Sequence, residues 1–120
     1  MPGGSGFPRR SRLLTPRDFR RVFERAQRSS DALFTVLARG NERPNARLGL
    51  AISRKAAHRA VDRNRVKRVV RDSFRHQRRR LQGLDLVVMA RGGVVATPNV
   101  ELRASLERHW TRLRARCARC

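Results

Sequence analysis

The segment from Ala60 to Arg80 reads as one long helix whose two sides carry opposite chemistry. At about 100° per residue, Val66, Val69, Val70, Ser73 and Phe74 share one sector, while Asn64, Arg68, Arg71 and Arg75 line the opposite side. A helix divided in this way must bury its apolar side on another layer and hold its cationic side toward water or an anion. The densest part of the run is Arg63-Asn64-Arg65-Val66-Lys67-Arg68, in which Arg63 falls near the edge of the apolar sector, where a side chain can support the fold as well as a partner.

The other elements follow from local patterns. Thr15-Pro16-Arg17-Asp18 opens a first helix with Thr15 as N-cap, Pro16 in the first turn and Asp18 able to reach back to an orphan amide. Phe19, Val22, Phe23 and Ala26 then form one apolar face, and the helix is expected to end near Arg28. Ala32 to Arg39 and Ala46 to Ser53 have strand patterns separated by Gly40-Asn41-Glu42-Arg43-Pro44-Asn45, which predicts a hairpin. On the second of these strands Leu48, Leu50 and Ile52 share a face, and the opposite face carries only Gly49, Ala51 and Ser53. A face of small residues either accepts a packed helix or leaves room for a ligand. Arg54 to Arg59 is a basic connector, and Gly83 is positioned to stop the long helix in the left-handed conformation. Leu84 to Ala90 is nearly continuously apolar, as a strand buried in the middle of a sheet would be. Thr97-Pro98 opens a last helix with the stripe Leu102, Leu106, Trp110 and Leu113. The expected architecture is an α/β (α+β) two-layer sandwich in the order α-β-β(-β)-α-β-α. Residues 1–12 are expected to form a mobile basic arm, 13–116 a single domain and 117–120 a tail.

Charge narrows the function. Thirty Lys and Arg against nine Asp and Glu give +21, a self-repulsion that a polyanionic partner would relieve. Nucleic acid fits this balance. A membrane surface does not, because each apolar stripe is committed to a core rather than left for lipid. Of the thirty cations 28 are Arg, including positions such as Arg112, Arg114, Arg116 and Arg119 where no geometry demands a guanidinium, so placement of charge is more informative than Arg identity. Met1 to Arg12 has no apolar core of a signal peptide, and no stretch approaches the length of a membrane span, so a cytoplasmic protein is expected.

Protein-borne catalysis finds little support. His58, His76 and His109 lie on different elements, and no pattern joins a nucleophile to a base or gathers metal ligands, so neither a catalytic residue nor a direct metal ligand is expected. Asp62 reads as a helix-start residue and Asp72 as an intrahelical partner of Arg68 or Arg75. Cys117-Ala118-Arg119-Cys120 is a lone Cys-x-x-Cys with no second pair of ligands, and reads as a tail. Phe19 and Phe23 are one turn apart, either as core residues or as a platform on which unpaired bases stack.

Taken together, these residues resemble the protein subunit of bacterial ribonuclease P. The resemblance rests on Arg63-Asn64-Arg65-Val66-Lys67-Arg68 with Arg71, on Arg12 to Thr15 with Asp18-Phe19 and Val22-Phe23, on Leu48 to Lys55, and on Asp85 to Arg91. It implies an endoribonuclease subunit that assists removal of the 5′ leader from precursor tRNA, with catalysis and most of the Mg²⁺ carried by the RNA subunit. By resemblance, Arg63, Asn64, Arg65, Lys67, Arg68, Arg71 and the neighbouring Arg75 face that RNA. Phe19, Phe23, Ser53, Arg54 and Lys55 line a cleft for the single-stranded leader. The family also implies a left-handed crossover through the basic helix, against the usual hand. Ribonuclease P RNA and precursor tRNA are the expected partners, with no membrane and no small-molecule substrate. Family members often carry an aromatic residue where this chain has Leu37, and many read Lys-Lys where it has Arg54-Lys55. The alternative is a small ribosomal-protein-like or RNA-chaperone-like binding module.

Overall fold

The computed structural model describes residue 12 and residues 15–117. Helix α1 (Pro16–Glu24) is followed by strands β1 (Gln27–Ser30), β2 (Phe34–Gly40) and β3 (Arg47–Ala51), helix α2 (Ala60–Gln77), strand β4 (Leu84–Ala90) and helix α3 (Asn99–Cys117). The expectations for residues 1–11, 13, 14 and 118–120 fall outside the described residues, while Cys117 closes α3.

One mixed four-stranded sheet has the order β1-β2-β4-β3, with β3 parallel to β4 and the other pairs antiparallel. The predicted β2–β3 hairpin does not form, because β4 lies between the two strands. The cause is the apolar run itself: Leu84, Leu86, Val87 and Val88 are all buried, and a strand covered on both faces also needs a neighbour on each edge. Asp85 fixes the arrangement by receiving Arg47 from β3 at 2.8 and 2.7 Å and the Asn41 amide, just beyond β2, at 2.9 Å. The turn segment therefore carries the chain across the start of β4. The first helix also stops earlier than expected, and Gln27–Ser30 becomes an edge strand on β2. Tertiary pairing overrides the local pattern there, with Ser29 turned onto His109 of α3 at 2.6 Å.

Helices α2 and α3 cover one face of the sheet. Val66, Val69, Val70, Ser73 and Phe74 of α2 are buried, as are Leu102, Leu106, Trp110 and Leu113 of α3. The two helices meet where Trp110 donates its indole N–H to Ser73 Oγ at 2.9 Å and stands edge-on to Phe74. Leu81 and the positive-φ Gly83 turn the chain from α2 into β4.

Helix α1 covers the other face in part. Thr15 Oγ1 accepts the Asp18 amide at 3.1 Å, the predicted cap, and Val22 packs on Leu37 and Val87. Asp18 also lies 3.6 Å from the buried Arg47–Asp85 pair, which ties the start of α1 to β3 and β4. The rest of this face is less covered: Ser30 and Ala51 are exposed and Met89 is half-buried.

Candidate nucleic-acid interface

The cationic side of α2 turns away from the sheet, with Asn64, Arg68, Arg71 and Arg75 exposed. Beside it runs a groove of 580 Å³ between α2 and the first turns of α3, whose walls include Arg68, Arg71 and Arg75 on one side and Asn99 and Arg103 on the other. Asp72 is the carboxylate in that lining, and it pairs with Arg103 across the groove at 3.4 Å. Packing α3 on α2 brings Arg103, a partner outside the expected intrahelical pairing, within reach of Asp72. His76 Nδ1–H donates to the Asp72 carbonyl at 2.8 Å.

The signature residues divide by environment. Arg63 donates to the Ala57 and His58 carbonyls at 3.0 and 2.9 Å, closing the connector onto the start of α2, in keeping with its place at the edge of the apolar sector. Arg65 donates to the Val94, Val95 and Thr97 carbonyls at 3.0, 3.1 and 3.2 Å and to Asn99 Oδ1 at 2.6 Å. Asn64 and Arg68 face the groove, and Arg71 borders both this groove and a second hollow.

That second hollow, about 200 Å³, lies between α1, β3 and α2 and is lined by Phe19, Gly49, Leu48 and Leu50 with Arg12, Lys67 and Arg71. Gly49, from the small-residue face of β3, thus shares this hollow with Phe19. Partial desolvation of the otherwise exposed Arg71 guanidinium, reinforced by the nearby Arg12 cation, lowers its pKa from the ordinary value. Three cations and one aromatic ring without a carboxylate in the lining form a setting for a nucleotide. Phe23, one turn on, is 51% exposed, whereas Leu37 is buried beneath α1 and offers no stacking surface. Ser53, Arg54 and Lys55 occupy the exposed turn after β3, shaped by the Ala56 amide donating to Ser53 Oγ at 3.2 Å, and they do not line this hollow.

A family model described as Ribonuclease P matches residues 7–114. The chain belongs to the ribonuclease P protein family. The ribonuclease P protein component of Thioalkalivibrio sulfidiphilus is 53% identical over 118 residues, covering 98% of each chain. That of Methylococcus capsulatus is 52% identical over 119 residues, covering 98% of this chain and 93% of the other. The solved ribonuclease P protein of Thermotoga maritima matches with a TM-score of 0.75 at 31% identity, over 84% of this chain and 96% of that one. Family membership selects the ribonuclease P reading over the ribosomal-protein-like alternative.

Sequence reasoning missed Asn99 and Arg103, since only the packing of α3 against α2 brings them to the groove; an Asn at a helix start and an Arg one turn later carry no distinctive signal. Among the described residues, no group of three or more His, Cys, Asp or Glu is arranged to hold a metal ion, and no helix is long and apolar enough to cross a membrane. The groove's donor set, rich in guanidinium with an ion-paired carboxylate, is unsuited to a Mg²⁺ ion held by the protein alone.

Proposed function

We propose that this member of the ribonuclease P protein family acts as the accessory subunit of a catalytic RNA, assisting endonucleolytic removal of the 5′ leader from precursor tRNA. The observation that carries the reading is the cationic groove beside α2, whose carboxylate is already paired, set next to a separate aromatic and cationic hollow at Phe19. Two sites of different character suit two RNA ligands. Guanidinium groups along Arg68, Arg71 and Arg75 engage phosphates of the RNA subunit, while Phe19 and Phe23 offer stacking surfaces to the unpaired leader, and Ser53, Arg54 and Lys55 add polar and cationic groups on the exposed turn after β3. Mg²⁺, where the RNA holds it, supplies the Lewis-acid chemistry. The protein contributes position and positive potential: neutralising phosphates lets RNA segments approach with fewer counterions.

The test is reconstitution with a bacterial ribonuclease P RNA at low Mg²⁺. Added protein is expected to stimulate precursor tRNA cleavage, and absence of stimulation would overturn the reading. Phe19→Ala is expected to weaken binding of leader-bearing substrate more than mature tRNA; equal losses would assign Phe19 to packing alone.

A further inference from the structure

We infer that the start of α3 is the second wall of the RNA-binding groove, with Arg103 as a phosphate contact, and that Arg65 sets the groove's width instead of touching RNA. The inference rests on the reading above and extends it to residues outside the α2 signature.

Three observations converge. The groove's lining is shared between α2 and α3, so a strand lying along Arg68 and Arg71 also runs beside Asn99 and Arg103. All four hydrogen bonds of Arg65 go to acceptors in the 3₁₀ turn Gly92–Val94 and the residues that lead into α3, so its planar fork fixes the spacing between the walls. Arg103 lies 3.4 Å from Asp72 with its side chain 53% exposed, which places a cation across the groove on an acceptor that a phosphate can replace. The partial positive charge of the α3 N-terminus, about half a unit, lies on the same side and is opposed by Glu101 in the first turn, so Arg103 carries the attraction there. A phosphodiester backbone is the ligand that meets cations on both walls. A carboxylate-rich peptide is the competing class.

The experiment uses the full chain, a bacterial ribonuclease P RNA and binding measured across a salt series. Arg103→Gln is expected to lower the slope of log K against log salt by roughly 0.7 to 0.9, as loss of one phosphate contact does. Arg65→Lys keeps the charge but cannot span four acceptors, so it is expected to weaken binding with the slope unchanged. An unchanged slope for Arg103→Gln, with wild-type protein binding normally, would overturn the inference while leaving the accessory-subunit reading intact. Wild-type affinity for Arg65→Lys, together with a reduced slope for Arg65→Gln, would return Arg65 to the RNA contacts and overturn the clamp. Failure of the wild-type protein to bind the RNA would overturn both. Should Arg65→Lys fold poorly, Arg103→Gln alone decides the second wall.

Discussion

Two cavities of nearly equal size sit at opposite ends of α3. The groove beside α2 measures 580 Å³ and includes five arginines, while the cavity at the far end measures 570 Å³ and includes Arg25, Arg39, Arg80 and Arg114. Their surroundings differ in sign. At the groove α3 begins, and the positive end of its dipole lies on that side, with Glu101 in its first turn. At the far cavity chains leave helices: Arg25 caps the end of α1, Arg80 follows α2, and Arg114 lies in the last turn of α3. Each helix C-terminus presents about half a negative charge, so these guanidiniums offset the protein's own field. Arg39 shows this directly by donating to the Arg21 carbonyl, in the last turn of α1, at 2.6 Å. Counting arginines around a hollow therefore does not identify an anion site; the backbone beneath them must be counted too.

The largest effect is expected from removing what holds α3 as one wall for both cavities. Trp110 is buried between α2 and α3, and Trp110→Ala is expected to cost about 3–5 kcal/mol in chemical denaturation. A loss below about 1 kcal/mol would show that α3 is anchored elsewhere.

Charge removal tells the two ends apart. Arg68→Ala is expected to weaken RNA binding by about 1.5–3 kcal/mol and to lower the salt slope, whereas Arg114→Ala leaves that slope unchanged. Equal slopes for both variants would erase the distinction between the two ends.

Acid should loosen the middle of α3, where Asp31 accepts the Ser105 hydroxyl at 2.5 Å and the Leu33 and Phe34 amides at 2.8 and 2.9 Å. Partial burial works against the Asp31 charge, but these donors and His109 together lower its pKa to about 2. A carboxyl depressed in the folded state stabilises above its unfolded value of 3.8, and that contribution is lost as pH falls toward 2. The loss is expected to be about 2 kcal/mol, and Asp31→Asn should flatten the stability profile across this window. His109 acts earlier. Burial pushes its pKa down, with Asp31 opposing, while Arg112 and Arg108 add to the downward push. The unfolded imidazole therefore takes up a proton first, and stability falls as pH drops below 6.5. Its Nδ1 meets Ser29 Oγ at 2.6 Å, and its Nε2 lies 3.1 Å from Asp31 Oδ2, off the line of a regular hydrogen bond.

The smallest effect belongs to the far cavity. Arg114→Gln is expected to cost about 0.3–1 kcal/mol of stability, shrinking as salt rises. A gain in stability would mean that repulsion among the four arginines outweighs their offset of the helix ends.

Much of this was legible before the structure. The buried stripe of α2, the Thr15 cap and the α3 stripe all stand where periodicity and capping put them, because each depends on residues within one or two turns of each other, whereas α2 ends at Gln77 instead of near Arg80 and the positive-φ Gly83 turns the chain into β4 without capping the helix. The β2–β3 hairpin failed for the opposite reason. Turn chemistry at Gly40-Asn41 is compatible with a hairpin, and only the demand of β4 for two neighbours decides against it. Strand β1 was hidden because Ser29 and Ser30 have no apolar alternation, and its pairing depends on Thr35, Val36 and Leu37.

Sequence by itself determined that this chain carries an amphipathic basic helix, a small core and a charge that needs a polyanion, and its motifs sufficed to name the family. Tertiary structure decided what each cation does. Arg63 and Arg65 look like Arg68 in the sequence, yet the first two spend their donors on backbone carbonyls while Arg68 faces the groove. Likewise Asp72 reaches Arg103, 31 positions away, as well as His76 one turn on in its own helix. The physical reason is that a charge is set by residue type, but its available hydrogen bonds depend on which distant acceptors folding brings within about 3 Å.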